Sequence, residues 1–516
     1  MNNPNTTDFI KLNHETPQTA EHKRFDTLFA WFSVIMGFLF IRALPVVENT
    51  LGAFLLILLL FGFAACYFLC SGIRLHFSAL SLTAIACVLS VGLITGANKI
   101  LHRILFFLVI LAFFYSVYCA CGLAGRNPFS ADMFSHAIRA IVQHPFSALS
   151  ALPRALPPRG KRGSTRYLLT IAWCLLGLVV TAVPTLIVVL LLSYDAQFTS
   201  LLKKIFSISL DGFWGYLRDL ILGFLVAFPL FGSLFAAKRK CLVDDGKTSK
   251  VDTGNLHILP KALLCSAVTP ILLVYVLFFI SQWSYYVSAF TGVRPEGFTF
   301  ADYARSGFFE LCWVSGINAV MLLLFRLLIR RKEGEKGVLQ GIYSALISFF
   351  TLVLIATALS KMVLYVATYG LTQKRVYASW FMVLLAFIFI VVLVAQFIKR
   401  IRLIPVILAL CVLFFGLIAL PDVDGMIASY NVDAYLTGEL ESADIETISS
   451  YGASAVPALV ELRDTLSGYE ELSDSQAQVL SQTQDALSHI KQQLSEQPNH
   501  FFTFNLPTAR ARNLLK

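Results

Sequence analysis

The chain has 516 residues, of which 57% are hydrophobic and 14% are charged, with a net charge of +10. Soluble domains carry roughly 45–50% apolar and about 25% charged residues, so this composition excludes a soluble enzyme, a disordered chain and a disulfide-stapled secreted scaffold. Together with a mean hydropathy of +0.72, it predicts a polytopic membrane protein.

The charge is divided unequally along the chain. Residues 422–516 hold 14 of the 31 acidic residues and 5 of the 41 basic ones, so this part carries −9 and the first 421 residues carry +19. The basic residues of the first part form short clusters between apolar stretches, which reports membrane topology. We therefore expect the lipid bilayer as a partner and no nucleic acid.

Eleven apolar stretches are long enough to be membrane spans, because about 20 helical residues cross the ~30 Å hydrocarbon layer. They lie near 26–43, 50–71, 76–97, 104–123, 167–193, 212–236, 260–283, 306–328, 338–360, 376–398 and 403–420. The predicted fold class is all-α, a polytopic transmembrane helix bundle of about 11 spans with a small C-terminal extramembrane helical domain.

Four parts are predicted along the chain. A polar cytoplasmic segment, 1–25, precedes the transmembrane domain, 26–421, and an extracytoplasmic helical domain, 422–496, precedes a flexible basic-aromatic tail, 497–516. With the N-terminus inside, the inner segments hold 25 Lys and Arg residues and the outer loops hold 11. Since positive loops stay in the cytoplasm, we predict a multi-pass membrane protein with its N-terminus inside and its C-terminus outside.

Two helices are predicted in the acidic C-terminal part. The first covers 453–466, with Pro457 suited to a first helical turn, and the second lies near 474–495, with Ser473 or Asp474 as a cap. The run from Gly452 to Leu459 resembles one HEAT-type repeat unit, although stacked repeats normally number three or more. We expect this helical hairpin to be the place where a protein partner binds.

Motifs of catalysis and metal binding are missing. The sequence has no Walker loop, GxSxG elbow, HExxH pair, CxxC pair or DxDxDG calcium loop. None of the nine histidines forms an i, i+4 pair. No catalytic residue, metal or cofactor is therefore predicted, and an enzymatic function is disfavoured.

Polar residues concentrate at the predicted outer ends of the eighth and ninth spans. The candidate ligand-binding residues are Arg305, Glu310, Asn318, Lys361, Tyr365, Tyr369, Thr372 and Arg375. In a continuing helix, Lys361, Tyr365, Tyr369 and Thr372 would share one stripe. A carboxylate within a span is costly unless it is paired or hydrated, which favours an outward-facing pocket for a polar ligand where Glu310 pairs with a cation. The alternative is an interfacial belt of Tyr, Lys and Arg.

Three stretches carry a resemblance to a known family. They are Tyr303–Phe309, Lys361–Arg375, and Ile427–Tyr435 followed by Thr437-Gly438 and Ala455–Leu459. Over about residues 170 to 465 the chain resembles a bacterial family of multi-pass membrane proteins catalogued only as a domain of unknown function. The family pattern often has an acidic residue where this chain has Ala367. The resemblance implies an integral bacterial membrane protein and brings no activity or ligand.

Three functions remain open from the sequence. The first is a non-enzymatic envelope sensor or scaffold whose outer helical domain binds a partner. The second is a transporter of a small polar solute or lipid, favoured by the number of spans and the prolines within them. The third is an intramembrane transferase or hydrolase.

Overall fold

The structure is a computed structural model that describes residues 17–43, 51–73, 75–120, 122–124, 129, 133–156, 213–243, 261–281, 308–328, 338–398, 400–497 and 499–516. These residues form helices, turns and connections, and no strand occurs among them.

The helices are numbered in chain order. They are α1 (Pro17–Ala43), α2 (Leu51–Cys70), α3 (Phe77–Ser90), α4 (Gly92–Thr95), α5 (Lys99–Ala120), α6 (Met133–Ile138), α7 (His144–Phe146), α8 (Ala151–Ala155), α9 (Phe213–Val243), α10 (Lys261–Ser281), α11 (Phe308–Leu328), α12 (Val338–Tyr369), α13 (Gln373–Phe397), α14 (Leu403–Ala419), α15 (Val423–Leu436), α16 (Ile445–Ser449), α17 (Val456–Ser467), α18 (Asp474–Glu496) and α19 (Leu506–Leu514).

Apolar helices of membrane-spanning length make up much of the described chain. Seven are long and apolar enough to cross a bilayer, and α14 with α15 forms an eighth candidate that bends by 60°. The seven are Phe25–Arg42, Leu51–Cys70, Phe77–Thr95, Lys99–Ala120, Arg218–Lys240, Val338–Tyr369 and Gln373–Phe397. The helices α10 and α11 lie where the seventh and eighth spans were predicted, and the predicted fifth span, 167–193, lies outside the described residues. For the described residues an all-helical fold is confirmed, and its seven apolar helices of spanning length indicate a membrane protein. The number eleven and the extramembrane location of the C-terminal helices stay predictions.

The chain divides into two compact units. The first comprises Met1–Ser90, Arg103–Pro128 and Asp132–Thr248, and the second comprises Val91–His102, Phe129–Ala131 and Ser249–Lys516. The second unit therefore joins the short connection between two apolar helices to the whole C-terminal half.

In the first unit, α1 and α9 pack against each other at glycines. A Cβ atom on Gly223 would lie 2.5 Å from the backbone Cα of Phe38, a distance that no side chain can occupy. The absence of side chains at Gly37 and Gly223 therefore lets the two helix backbones approach closely, as in other membrane helix pairs with small residues at the crossing.

Ion pairs at both ends show that α1 and α9 are antiparallel. The Lys238 ammonium lies 2.6 Å from the Asp26 carboxylate, which also accepts a hydrogen bond from Tyr67. At the opposite ends of the two helices, Arg42 lies 3.2 Å from Asp219. Each of these charges in an apolar helix is thereby paired, which lowers the cost of holding it near lipid.

In the second unit, Asn318 joins three apolar helices. The fully buried Asn318 accepts a hydrogen bond of 2.7 Å from Tyr275 on α10 and donates one of 2.8 Å to Thr351 on α12. Thr351 in turn donates to the carbonyl of Ile347, one helical turn away. Such polar contacts hold helices together where lipid offers no competing partners.

The C-terminal helices pack around a core of their own. Buried residues of α15, α16, α17, α18 and α19 form one apolar cluster, with Ile427, Ile448, Leu459, Leu462 and Ile490 among its members. Helices that share one core in this way cover the apolar faces that a hairpin alone would leave exposed.

Both helices predicted in this part occur in the structure. Pro457 lies in the first turn of α17, and Ser473 caps α18 in a reciprocal capping box with Gln476. The helices α15, α16 and α19 were not predicted from the sequence. The last of these, Leu506–Leu514, lies within the segment 497–516 that was expected to be a flexible tail.

Candidate functional site

The connection between α12 and α13 is a tight turn built on a glycine. The helix α12 ends at Tyr369, and Gly370 takes a φ of +71°. Glycine adopts this left-handed conformation without the steric cost that other residues bear, and it is the usual residue after the last turn of a helix. The chain then reverses, and Thr372 caps α13 by accepting a hydrogen bond from the Arg375 amide.

A side chain from the C-terminal helices holds this turn. The buried Asn431 of α15 accepts a hydrogen bond of 2.7 Å from the Leu371 amide and donates one of 2.8 Å to the Leu371 carbonyl. Its carboxamide thus satisfies both polar groups of one peptide residue, as a neighbouring strand would. A Cβ atom on Gly370 would lie 2.5 Å from the Asn431 oxygen, so the contact requires glycine.

Arg375 closes the same turn from the other side. Its guanidinium donates to the carbonyl of Tyr369 at 2.8 Å and to that of Gly370, both at the end of α12. It also lies 4.1 Å from the centre of the Tyr365 ring, within the range of a cation–π contact. A cation at a helix C-terminus is stabilised by the helix dipole.

A buried carboxylate connects the turn to a second connection between apolar helices. Asp424 accepts a hydrogen bond of 2.9 Å from Gln373 and one of 3.2 Å from Asn98. Asn98 also donates to the Tyr377 hydroxyl at 2.9 Å and caps the start of α5 through the Leu101 amide. We call Asn98, Gln373, Tyr377 and Asp424 the polar cluster.

The start of α15 adds a second carboxylate. Asp422 caps this helix by accepting from the Gly425 amide, and it accepts a 2.8 Å hydrogen bond from Ser454. Burial raises the pKa of Asp422, and burial likewise raises the pKa of Asp424 against the lowering effect of its hydrogen bonds from Gln373 and Asn98. Those two donors to Asp424 are neutral amides, which favour its ionised form less than a cation would.

Two more contacts tie the connection at 91–102 to the C-terminal half. The Thr95 hydroxyl donates to the Leu420 carbonyl at the end of α14. The buried Asn505 donates to the carbonyl of Gly96 at 2.6 Å and caps α19. Three connections, at residues 95–98, 370–373 and 420–424, are therefore held at one place within the second unit.

The predicted ion pair between α11 and α12 has a partial counterpart. Glu310 lies exposed in the first turn of α11, and buried Lys361 on α12 interacts with it electrostatically. The two helices pack against each other through Leu311, Leu354 and Ala358. Arg305 lies outside the described residues, so its predicted pairing is not described.

The other predicted site residues lie at two places, the α12–α13 turn and the contact of α11 with α10 and α12. Tyr365 and Tyr369 stack edge to face at 5.4 Å on α12, whereas Thr372 leaves their stripe because the helix ends at Tyr369. Arg375 is bound to the turn, and Asn318 is held between α10 and α12. The expectation of one continuous helical stripe through Thr372 was wrong, since Gly370 ends the helix first.

Asn98, Gln373, Asp424 and Asn431 were not among the predicted site residues. Gln373 and Asn431 do lie in the two stretches that carried the family resemblance, and the structure brings those stretches into direct contact. The Tyr-Gly-Leu run with its glycine was a readable signal of a helix end. Asn98 had no such signal in the sequence.

The part of the chain that the structure describes has no group of side chains suited to bind a metal ion. Within it, no three His, Cys, Asp or Glu side chains lie close enough together to hold an ion. The polar cluster instead pairs both oxygens of Asp424 with amide donors. Its chemistry is that of a structural connection between helices.

Comparison with known proteins gives a family and no further relative. The model of a family described as Domain of unknown function (DUF4153) matches residues 58–462. The match includes the connection at 95–98, the α12–α13 turn and α15. No curated protein and no solved structure matches the chain.

Proposed function

The chain belongs to the DUF4153 family, and we propose that it is a non-enzymatic scaffold or sensor of the bacterial cytoplasmic membrane. In this proposal, α15 to α19 form an extracytoplasmic domain that binds a protein partner, and the membrane helices hold that domain in a defined orientation. The observation that carries the proposal is the fastening of α15 to two separate connections between apolar helices.

Several buried side chains hydrogen-bond the C-terminal helices to the connections between apolar helices. Asn431 binds the turn between α12 and α13, Asp424 binds both that turn and Asn98, and Asn505 binds the carbonyl of Gly96. The side chains of Asn431, Asp424 and Asn505 are buried, and breaking one contact would leave polar groups without partners. A domain held this firmly can transmit a change between its partner surface and the membrane helices.

Eleven spans agree with these contacts. Residues 95–98, 370–373 and 420–424 follow the third, ninth and eleventh predicted spans, so an eleven-span chain has all three on one side of the membrane. Their direct contacts support that arrangement. The antiparallel packing of α1 and α9 supports it independently, because the chain then crosses an even number of times between them.

The positive-inside count favours one side. The 25 basic residues of the inner segments against 11 in the outer loops put the N-terminus in the cytoplasm and the three joined connections outside. In this orientation the net charge of −9 on residues 422–516 faces the extracytoplasmic space. A partner with a basic surface would fit this charge.

A transporter is the second candidate, and the Asn318 network is the observation that favours it. Polar side chains within spans often mark solute or proton pathways. Here Asn318 accepts a hydrogen bond from Tyr275 and donates one to Thr351 across three helices, so these polar groups are equally explained as packing contacts. The scaffold is preferred because the fastened C-terminal helices need an explanation that transport does not supply.

One experiment separates these two functions. A deletion strain is complemented with the unchanged chain, with a surface variant of α18, Gln482→Arg with Asp485→Arg, or with Asn318→Ser, and both envelope stress and solute uptake are measured. Both α18 residues are exposed, so the surface variant should accumulate normally in the membrane.

If the protein is a scaffold, the surface variant should fail to relieve envelope stress, whereas Asn318→Ser should relieve it and leave solute uptake unchanged. Rescue by the surface variant together with loss of uptake in Asn318→Ser would favour the transporter. Photo-crosslinking from position 482 in intact cells then tests for a protein partner, with exposed Val363 on α12 as the position that should contact lipid.

A further inference from the structure

An aromatic turn near the C-terminus exposes three phenylalanines together. Phe501, Phe502 and Phe504 are 69%, 61% and 44% exposed, and the first two rings stack edge to face at 5.5 Å. The turn is held in shape by His500 and Thr503, which exchange hydrogen bonds through the Thr503 hydroxyl. Contiguous exposed aromatic side chains mark an interaction surface.

The position of this turn is fixed at the ends of apolar helices. Asn505, the residue after Phe504, donates to the Gly96 carbonyl, just beyond the apolar stretch Phe77–Thr95. Thr95 itself donates to the carbonyl of Leu420, directly after α14. The candidate span Phe77–Thr95 and the apolar helix α14 therefore both end beside the residue that anchors the aromatic turn. If these helices cross a bilayer, their ends mark the level where hydrocarbon changes to headgroups.

Charge distinguishes this segment from the helices before it. Residues 497–516 contain three basic residues and no acidic one, whereas residues 422–496 hold all 14 acidic residues of the C-terminal part. Of these bases, Arg510 and Lys516 are exposed. A surface with aromatic side chains and neighbouring positive charge matches the interface of a membrane that contains anionic lipid.

We propose that Phe501, Phe502 and Phe504 insert into the lipid interface on the side where α4 and α14 end. The aromatic turn is then an anchor that holds the C-terminal helices on the bilayer surface. This inference holds for either orientation of the protein and does not depend on a scaffold function.

The test uses the full chain in nanodiscs of zwitterionic and anionic phospholipid. Photoreactive p-benzoylphenylalanine replaces Phe501 or Phe502, and lipid adducts on the peptide that carries it are measured by mass spectrometry after illumination. Tyr469 is the matched control, since it is 46% exposed and lies close to Tyr435 near the end of α15. With a rise of 1.5 Å per residue, that end is about 20 Å along α15 from Asp422. Because α15 bends by 60° from α14, about half of this length leads away from the end of α14.

We expect several-fold more lipid adduct from positions 501 and 502 than from position 469. Equal adducts at all three positions, or adducts to protein instead of lipid at positions 501 and 502, would overturn the proposal. The triple variant Phe501→Ser, Phe502→Ser and Phe504→Ser gives a second measurement. Hydrogen exchange at α19 in nanodiscs should rise in this variant, and unchanged exchange would also count against an anchor.

Discussion

At the scale of single residues, the contact between Asn431 and the α12–α13 turn requires a glycine without a Cβ atom at position 370. The amide and carbonyl of Leu371 can hydrogen-bond the Asn431 side chain because Gly370 has no Cβ atom to displace that side chain. The positive φ at Gly370 adds a conformational requirement of its own. One glycine therefore ends α12, turns the chain and admits the side chain that fastens α15.

Gly370→Ala should lower the thermal unfolding midpoint of the detergent-solubilised protein. An alanine costs about 1–2 kcal/mol in the left-handed region, and its Cβ would also displace Asn431. The control is Gly438→Ala, because Gly438 has a φ of +79° and its added methyl group would meet no atom within 4 Å. Equal midpoints for the two variants would show that the Asn431 contact adds nothing.

The polar cluster should make stability depend on pH. The pKa of Asp424 is raised by burial, so between its ordinary value and the raised one the folded protein binds more protons than the unfolded chain. The stability that Asp424 contributes is then fully present below its ordinary pKa and is lost as the pH rises through the folded-state pKa. Asp422, whose pKa is also raised, acts in the same direction, and Arg510 opposes it.

The expected result is an unfolding midpoint that falls from about pH 4, near the ordinary carboxyl pKa, to about pH 8, and the fall should be smaller in Asp424→Asn. That variant keeps an acceptor for Gln373 and no longer titrates. Asp433→Asn is the control on the same helix, since Asp433 is exposed, and it should leave the difference unchanged. A pH response of wild-type size in Asp424→Asn would exclude this carboxylate as its source.

At the scale of helices, α1 and α9 show how close packing and charge pairing act together. Their backbones meet at Gly37 and Gly223, and the ion pairs Asp26–Lys238 and Arg42–Asp219 fix the register at both ends. The crossing admits no added atom, because the neighbour of Gly223 is backbone and cannot rotate away.

Gly223→Ala should therefore separate the two helices and reduce the amount of monodisperse protein that survives heating, measured by size-exclusion chromatography. The new methyl group would meet the Phe38 Cα at 2.5 Å, and overpacking of this kind costs typically about 1–3 kcal/mol. Gly62→Ala on α2 is the control, because nothing lies within 4 Å of that site. Survival of Gly223→Ala at the level of Gly62→Ala would contradict the packing argument.

Local signals explain which helices the sequence predicted. The capping residue Ser473 and the early Pro457 mark α18 and α17, and the structure has both helices at nearly the predicted bounds. The nine-residue helix α19 carries too short an apolar pattern to stand out. Gly370 was present as a signal for the end of α12, yet the regular spacing from Lys361 to Thr372 pointed to a continuing helix.

The polar cluster could not be predicted from local sequence patterns, because its residues come from distant parts of the chain. Asn98 and Asp424 are 326 residues apart in the chain, and no periodicity within a window of two helical turns relates them. Their contact follows from how the helices pack, whereas the sequence alone showed only that each residue lies beside an apolar stretch. The candidate residues, chosen for their spacing on one helix and for their charge, therefore included Arg375 and Thr372 of the turn. They did not include the residues that bind the turn from other parts of the chain.

At the scale of the whole molecule, span number and orientation are linked through these contacts. Residues that touch at the ends of spans must be on one side of the membrane, so Asn98, Gln373 and Asp424 require an even number of crossings between any two of their connections. An even number of crossings between α1 and α9 meets the corresponding requirement for the ion pairs of the first unit. The charge count then needs to decide only which side is inside.

Reporter fusions test that decision. A phosphatase that is active only outside the cytoplasm should be active when fused after Pro421 and inactive after Lys332, and a fluorescent protein that folds only in the cytoplasm should give the opposite pattern. The physical reason is the cluster Arg330, Arg331 and Lys332, which favours retention inside. Replacing these three by Gln should weaken the asymmetry, while replacing the exposed bases Arg510 and Lys516 should not. Phosphatase activity only after Lys332 would show that the orientation is the opposite of the predicted one. Equal activity at both positions would mean an even number of crossings between Lys332 and Pro421. With α12 as one span, that would contradict the even number of crossings between 370–373 and 420–424.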